Sequence, residues 1–207
     1  MPTDERVLAI PTSHFQAIGA FQGFRHADLV YCEAILDPRH FGFHRRNDVE
    51  TDLAFKQLIP YVILCCGERV FHYRRGAAGT EKRLLAMRSI GIGGHISEQD
   101  ASGTGDAYRN GMERELREEV TFGAIASETL IGFINDDRTF VGSVHLGVVH
   151  RLELEIEAVT ANEAAIADAG FATVAELWAE REEFETWSQF AFDALIARSK
   201  APIQSFA

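Results

Sequence analysis

The chain has 207 residues, of which 46% are hydrophobic and 25% charged, as expected of a globular protein with one sizeable core. The sequence has no apolar run of about 18 residues, and its first ten residues include acidic side chains, so neither a membrane-spanning helix nor a signal peptide is predicted. The formal net charge of −11 argues against non-specific binding to nucleic acid or to an anionic membrane.

The three cysteines, Cys32, Cys65 and Cys66, are an odd number. Cys65 and Cys66 are neighbours on a predicted strand and should therefore point to opposite faces of a sheet. We interpret the cysteines as small, reduced core residues, which predicts a cytoplasmic protein. A catalytic cysteine is the alternative, but no motif supports it.

Residues 1–54 combine aromatic side chains with interrupting glycines and show no clear period. We interpret this region as an N-terminal extension packed on the main domain, which is assigned to residues 55–207. The aromatic residues of the extension are Phe15, Phe21, Phe24, Phe41 and Phe43.

The main domain begins with a pattern that predicts a strand over residues 57–73, a turn over 75–80 and a returning strand over 83–91. Basic residues are concentrated over residues 56–88, whereas residues 152–186 are strongly acidic. The basic residues are Lys56, Arg69, Arg74, Arg75, Lys82, Arg83 and Arg88. They could face the phosphates of a substrate, or they could form a solvated hairpin edge that discourages aggregation.

The remaining elements are predicted from hydrophobic periodicity and turn residues. They are a loop over 96–105, a helix over 106–120, strands over 125–134 and 141–157, a loop or short helix over 161–169, and a helix over 173–198. A bulge is expected near residue 150 and a helix break near residue 184. Strands on both sides of a central helix, followed by a C-terminal helix, predict an α/β fold with a mixed β-sheet between helices.

Three glutamates share one face of the predicted helix over 106–120. A helix turns about 100° per residue, which places Glu118 about 300° and Glu119 about 40° from Glu115. Like charges at these spacings repel each other, and a bound Mg²⁺ or Mn²⁺ would remove that repulsion, since hard cations prefer carboxylate oxygens. The spacing therefore predicts a metal site, and a solvated acidic helix face is the alternative.

The sequence around these glutamates resembles the signature of the Nudix hydrolase family, which contains the core R-E-U-x-E-E, where U is aliphatic. Five residues match that core: Arg114, Glu115, Leu116, Glu118 and Glu119. Seven residues separate Asp106 from Arg114, so Asp106 stands where the family has a glutamate. Eleven residues separate Gly94 from Asp106, six more than in the family, and Thr121 replaces the family's last glycine.

The wider resemblance runs roughly over residues 55–195 and is closest to a branch described as predicted phosphoesterases. It implies a Nudix-type α/β/α sandwich that hydrolyses the P–O–P linkage of a small-molecule diphosphate. It also implies that Glu115, Glu118 and Glu119 bind Mg²⁺ or Mn²⁺, that Arg114 orients the glutamates, and that a carboxylate in or near the motif acts as general base. The catalytic residues implied are Arg114, Glu118 and Glu119, and a homodimer is the expected assembly.

Nudix proteins often draw a further acidic residue from a later loop, for which the candidates are Asp136, Asp137, Glu163 and Asp168. His95 follows the glycine pair and could touch a phosphate, although a lone histidine is more often structural. The stretch from Asp100 resembles the opening of an EF-hand, but Gly111 stands where the bidentate glutamate is required, so a calcium sensor is rejected.

Two other functions use the same fold. A Nudix-fold protein can bind a nucleotide-like ligand as a sensor without hydrolysing it, and the intact glutamates argue against this, since a pure binder does not need a repulsive carboxylate cluster. Isomerisation of an isoprenoid diphosphate is disfavoured, because neither Cys65 nor Cys66 has a catalytic context.

Overall fold

The computed structural model describes residues 5–76, 87–102, 104–162 and 166–199. Residues 197–199 are described by their backbone alone. Twelve strands are present in this part of the chain: β1 Arg6–Pro11, β2 Gly23–His26, β3 Gly42–Arg45, β4 Phe55–Cys66, β5 Arg69–Arg75, β6 Arg88–Ser89, β7 Gly91–Ile92, β8 Val120–Phe122, β9 Ile125–Asn135, β10 His145–Leu154, β11 Val159–Ala161 and β12 Ile166–Thr173. The helices are α1 Thr12–Ala17, α2 Leu29–Ile35, α3 Arg46–Val49, α4 Ala107–Glu119, α5 Phe140–Ser143, α6 Val174–Ala179 and α7 Thr186–Ser199.

The main sheet has the central order β12-β5-β4-β10-β9-β2. Strands β4 and β10 are parallel, and the other neighbours in this order are antiparallel. The predicted mixed sheet is therefore confirmed. Within the described residues, no helix is both long and apolar enough to cross a membrane.

Strand β4 is buried on both faces, and its alternating side chains contact different helices. Tyr61 and Ile63 pack in a core with Phe192 of α7. Val62 and Leu64, on the other face, share a core with residues of α4. One helix layer thus covers each face of the sheet, as expected when strands read as nearly continuous apolar runs.

The first 54 residues contribute strands to the main sheet. Strand β1 pairs with both β3 and β4, and β2 pairs with the outer edge of β9. Phe15 is buried in the core beside Leu58 and Phe133. The region predicted as an extension therefore closes sheet edges as well as packing on the main domain.

Three sequence-based predictions of secondary structure were wrong. The strand predicted over 57–73 is a hairpin, because Gly67 adopts a φ of 59° and reverses the chain between β4 and β5. The segment 161–169 contains parts of β11 and β12 in place of a loop or short helix. The strand predicted from residue 141 begins only at His145, because helix α5 precedes it.

Other predictions were confirmed. The register of β10 against β9 shifts between Val149 and His150, which is the expected bulge near residue 150. A break separates α6 from α7 around Phe184. Cys65 is buried, Cys66 is half-buried, and the cysteines are free thiols. Residues 77–80 of the predicted turn and residues 83–86 of the predicted returning strand lie outside the described residues, and the rest of that strand contains β6 and the start of β7.

Candidate functional site

Helix α4 carries the glutamate motif and begins with a side-chain cap. The Asp106 carboxylate accepts a hydrogen bond of 3.0 Å from the backbone N–H of Tyr108. Asp106, which stands where the family has a glutamate, is therefore an N-cap residue here. Met112 and Leu116 are buried against the sheet, which turns the motif residues towards the preceding loop.

Arg114 connects the motif to that loop. Its Nη1 donates to Glu115 Oε1 at 2.8 Å and to Glu118 Oε2 at 3.1 Å. Its Nε and Nη2 donate to the two oxygens of Asp100 at 2.8 and 3.0 Å, and Nη2 also donates to the His95 carbonyl at 3.0 Å. These are the contacts that a residue orienting two glutamates requires.

Asp100 is a site residue that the sequence reasoning missed. It lies in a short 3₁₀ helix, Glu98–Ser102, and its side chain is buried. It also accepts from the backbone N–H of Ser97 at 2.7 Å. The available signal was an acidic residue before an arginine-containing helix, but its likeness to an EF-hand opening obscured it.

Glu115 is held between Arg114 and the glycine pair. A Cβ atom at Gly94 would lie 2.3 Å from Glu115 Oε2, and one at Gly93 would lie 1.7 Å from the carbonyl oxygen of Pro60. Close approach of backbone therefore requires glycine at position 93, whereas a Cβ atom at position 94 would displace the Glu115 carboxylate. Burial raises the pKa of Glu115, and the neighbouring Arg114 guanidinium opposes that shift.

The other two glutamates differ in their surroundings. Glu118 is half exposed, and only its Oε2 is hydrogen-bonded to a described residue. Glu119 is partly buried at the end of α4, and its charge acts on Tyr73 and Arg75 of β5. Two of the three predicted metal ligands, Glu115 and Glu118, thus converge on one nitrogen atom.

Within the described ranges, no group of three or more His, Cys, Asp or Glu side chains is placed to hold a metal ion. The chemistry of the donor set nevertheless suits Mg²⁺ or Mn²⁺, because Glu115 and Glu118 present carboxylate oxygens at one position and Glu119 lies on the same helix. The arrangement can gather hard oxygen ligands beside the glycine pair.

The later acidic candidates make contacts elsewhere. Asp136 pairs with Arg138 at 2.6 Å, and Asp137 accepts from Lys56 at 2.9 Å and from Asn135 at 3.0 Å. Asp168 is exposed and lies 3.7 Å from Arg74. The fourth candidate, Glu163, lies outside the described residues.

Three basic residues of the stretch 56–88 form ion pairs with acidic residues of the stretch 152–186. Arg69 forms an ion pair with Glu157, Arg74 with Glu183, and Arg88 with Glu180. This outcome matches neither a free phosphate-binding surface nor a purely solvated edge. Lys82 and Arg83 lie outside the described residues.

His95 is paired with another histidine, since its Nε2 lies 3.3 Å from Nε2 of His145. Nδ1 of His145 lies 2.7 Å from the Val141 carbonyl, which only accepts, so Nδ1 of His145 carries a proton. Burial, then Arg46 and His145, hold the pKa of His95 well below its usual range. His95 is therefore neutral near pH 7 and offers no positive charge to a phosphate.

A network of four hydrogen-bonded side chains lies beside the first turns of α4. The Tyr108 hydroxyl lies 3.0 Å from Nε2 of His150, and Nδ1 of His150 lies 3.1 Å from Glu128. Glu128 also accepts from Arg109, on the exposed side of α4. This network connects the first turn of α4 to β9 and β10. This network could not be predicted from sequence, because its members are far apart along the polypeptide.

A surface cavity of about 470 Å³ lies away from the motif. It is lined by residues that include Arg6, His44, Asp48 and Phe55. The lining comes from the first 55 residues and includes no residue of α4.

Comparison with known proteins decides the family. No model of a protein family matches the chain. The chain is 37% identical over 157 residues to Protein YmaB of Bacillus subtilis (strain 168), which is 73% of this chain and 76% of YmaB. The solved structure of Tm1382, assigned to the Nudix hydrolases, matches with a TM-score of 0.76 and 30% identity over 94% of this chain and 99% of Tm1382. The chain belongs to the Nudix hydrolase family.

A more distant Nudix structure shows the same fold. The NUDIX domain of Shewanella oneidensis NrtR, solved in complex with ADP ribose, matches with a TM-score of 0.55 and 14% identity. The match covers 84% of this chain and all of that domain. The α/β/α arrangement of the sheet, α4 and α7 is therefore the Nudix fold, as predicted.

Proposed function

We propose that this Nudix hydrolase cleaves the P–O–P linkage of a nucleoside diphosphate derivative or a related organic diphosphate in a metal-dependent reaction. The observation that carries the proposal is the contact of Arg114 with both Glu115 and Glu118, beside a glycine that Glu115 touches. A solvated acidic helix face would not require an arginine anchored by the buried Asp100.

Glu115, Glu118 and Glu119 would hold Mg²⁺ or Mn²⁺. When bound, the ion neutralises charge on the diphosphate, orients it and lowers the pKa of a coordinated water. Arg114 fixes the carboxylates of Glu115 and Glu118 so that their mutual repulsion does not spread them apart.

Glu118 is the carboxylate best placed to act on the reacting groups. Its side chain is half exposed, and its second oxygen makes no hydrogen bond with a described residue. It can therefore face a ligand and accept a proton, whereas Glu115 is mostly enclosed by Arg114 and Gly94. We assign catalytic roles to Arg114, Glu118 and Glu119.

The partner is a small molecule. The net charge of −11 disfavours long polyanions, and the pairing of Arg69, Arg74 and Arg88 with acidic residues leaves them poorly placed for an extended phosphate backbone. A cytoplasmic location and a homodimer belong to the same proposal, and light scattering of the purified protein measures the assembly.

The test is release of phosphate or nucleotide from a panel of diphosphates with Mg²⁺ or Mn²⁺. Glu118→Gln should abolish metal-dependent turnover. Glu113→Gln is the matched control, because Glu113 lies on the same helix but pairs with Arg109 and Arg117. Full activity of Glu118→Gln would overturn the assignment, and absence of turnover combined with thermal stabilisation by a diphosphate would favour a non-hydrolysing binding protein.

A further inference from the structure

A cluster of hydrogen-bonded side chains lies buried on the α7 face of the sheet, behind the segment that leads into the motif. We name it the Tyr61 cluster, and it consists of Tyr61, Ser89, Glu185 and Ser188. The Tyr61 hydroxyl donates to Glu185 Oε1 at 2.7 Å and lies 2.8 Å from the Ser188 hydroxyl. Glu185 is only 5% exposed, so its carboxylate depends on protein partners.

Glu185 does more than cap α7. Its carboxylate accepts from the backbone N–H groups of Trp187 and Ser188 at 2.9 and 3.1 Å, which is an ordinary N-terminal cap. It also accepts from the hydroxyls of Tyr61 and Ser188, both at 2.7 Å. A cap alone does not require a buried tyrosine, and an apolar ring at position 61 would pack on the sheet equally well.

The cluster holds the glycine segment, defined as residues 89–94. The Ser188 hydroxyl accepts from the backbone N–H of Ile90 at 3.1 Å, and the Ser89 hydroxyl lies 3.2 Å from Glu185. The Tyr61 ring packs directly on Gly91, since a Cβ there would lie 2.1 Å from the ring. Tyr73 completes the grip from β5 by donating to the Gly91 carbonyl at 2.9 Å.

The other end of the glycine segment contacts the motif. Gly93 lies against the backbone of Pro60, and Gly94 lies against the carboxylate of Glu115. Arg114 donates to the carbonyl of His95, the next residue. Two anchors therefore fix the segment: the Tyr61 cluster contacts residues 89–91, and the motif contacts Gly94 and the residue that follows it.

Electrostatic interactions of Arg75 also connect the Tyr61 cluster to the motif. The pKa of Arg75 is raised, first by Tyr73 and then, against the effect of burial, by Glu185, Tyr61 and Glu119. The Arg75 guanidinium thus interacts electrostatically with both the cluster and the last motif glutamate.

From this geometry we infer that Tyr61, Glu185 and Ser188 are positioning residues, which act through the glycine segment to set the place of Glu115 for metal and substrate. The inference rests on the proposed function. Buried polar networks that are fully bonded define one arrangement of their surroundings, and a small displacement of a metal ligand costs much activity. Neither Tyr61 nor Ser188 touches the reacting groups.

The experiment compares Tyr61→Phe and Ser188→Ala with wild type in kcat, KM, the Mn²⁺ concentration for half-maximal activity, and the thermal midpoint. We expect kcat to fall by about tenfold and the Mn²⁺ requirement to rise by about tenfold, with KM within about twofold, because a displaced Glu115 would bind the metal less well and a small misplacement costs much activity. The double variant should be no worse than about twice either single variant, because both break one network.

Phe192→Leu is the structural control, because Phe192 packs α7 on the same core without a polar contact to the cluster. It should lower the thermal midpoint and leave the kcat of the folded protein within about twofold of wild type. If Tyr61→Phe and Ser188→Ala behave like Phe192→Leu, the cluster is merely structural and the inference is wrong.

A Mn²⁺ titration, in which binding is monitored by electron paramagnetic resonance, distinguishes failure of this inference from failure of the proposed function. If wild type binds Mn²⁺ but hydrolyses no compound of the panel, the proposed hydrolysis fails, and about tenfold weaker binding by Tyr61→Phe still supports the positioning role. Equal Mn²⁺ binding by wild type and Tyr61→Phe contradicts it. If wild type binds no Mn²⁺, both the metal-dependent function and the inference are overturned.

Discussion

The carboxylate of Glu115 is in contact with the α-carbon of Gly94, so that a Cβ atom built on Gly94 would lie 2.3 Å from Oε2. The obstructing atom is the end of a flexible side chain, which can rotate away at little cost to the fold. We therefore expect Gly94→Ala to lower kcat by about 10- to 100-fold through displacement of Glu115, while the thermal midpoint changes by less than about 3 °C. Steady-state kinetics and calorimetry measure the two effects.

Gly93→Ala is the contrasting variant. Its Cβ would meet the carbonyl oxygen of Pro60 at 1.7 Å, and backbone cannot yield as a side chain does. We expect a large loss of thermal stability in this variant. Wild-type kcat in a folded Gly94→Ala protein would show that the contact with Glu115 has no functional role.

Asp100 anchors Arg114, and its removal should affect catalysis without altering the motif. Asp100→Asn keeps the size of the side chain but loses the charge that binds the guanidinium at two points. We expect kcat to fall by about tenfold and the free energy of unfolding to fall by about 1–2 kcal/mol, measured by kinetics and urea denaturation.

Asp106→Asn is the control for that variant. Asn and Asp cap helices about equally well, so both activity and stability should stay close to wild type. An Asp100→Asn protein with unchanged kcat would mean that Glu115 and Glu118 position Arg114 without help from the loop.

The helix and its three glutamates could be predicted from sequence because their spacing is local. Glu115 and Glu118 need only the helical period to meet, and the glycine pair signals a close approach of backbone. Asp100 could not be assigned, because it lies fourteen positions before Arg114, with a loop between them. Loop conformation is not determined by a period that can be read from the sequence.

The long-range partners were harder still to predict. Glu185 meets Tyr61 only because α7 returns across the sheet, and His150 meets Tyr108 only through the register of β10. Such contacts depend on the packing of elements far apart along the chain. The hairpin at Gly67 is different, since a glycine after a strand is a local turn signal that the longer alternation outweighed.

Glu128 should make stability depend on acid. Its pKa is lowered to about 2, first by its hydrogen bond with His150 and then, against desolvation, by Arg109. A carboxylate with a depressed folded-state pKa contributes stability that is fully present above its unfolded pKa and is lost as the pH falls towards its folded pKa. This contribution should therefore disappear between about pH 5 and about pH 2.

Glu128→Gln tests that assignment. The variant should be less stable than wild type near pH 7, and the difference should shrink as the pH is lowered through this window, as measured by urea denaturation at a series of pH values. Glu113→Gln, which removes a more exposed carboxylate from an ion pair with the same Arg109, should show a smaller effect. Parallel curves for wild type and Glu128→Gln would contradict the assignment.

Removal of residues 1–54 should abolish the folded monomer, because β1 and β2 in this region pair with the edges of β4 and β9. Without β1, part of the edge of β4 loses its hydrogen-bonding partner, and without β2 the outer edge of β9 is open. Loss of Phe15 also uncovers Leu58 and Phe133. Open edges with exposed apolar side chains promote aggregation, so we expect the truncated chain to be insoluble or to elute as large assemblies on size exclusion. A soluble, active chain beginning at residue 55 would establish that the first 54 residues are a dispensable extension.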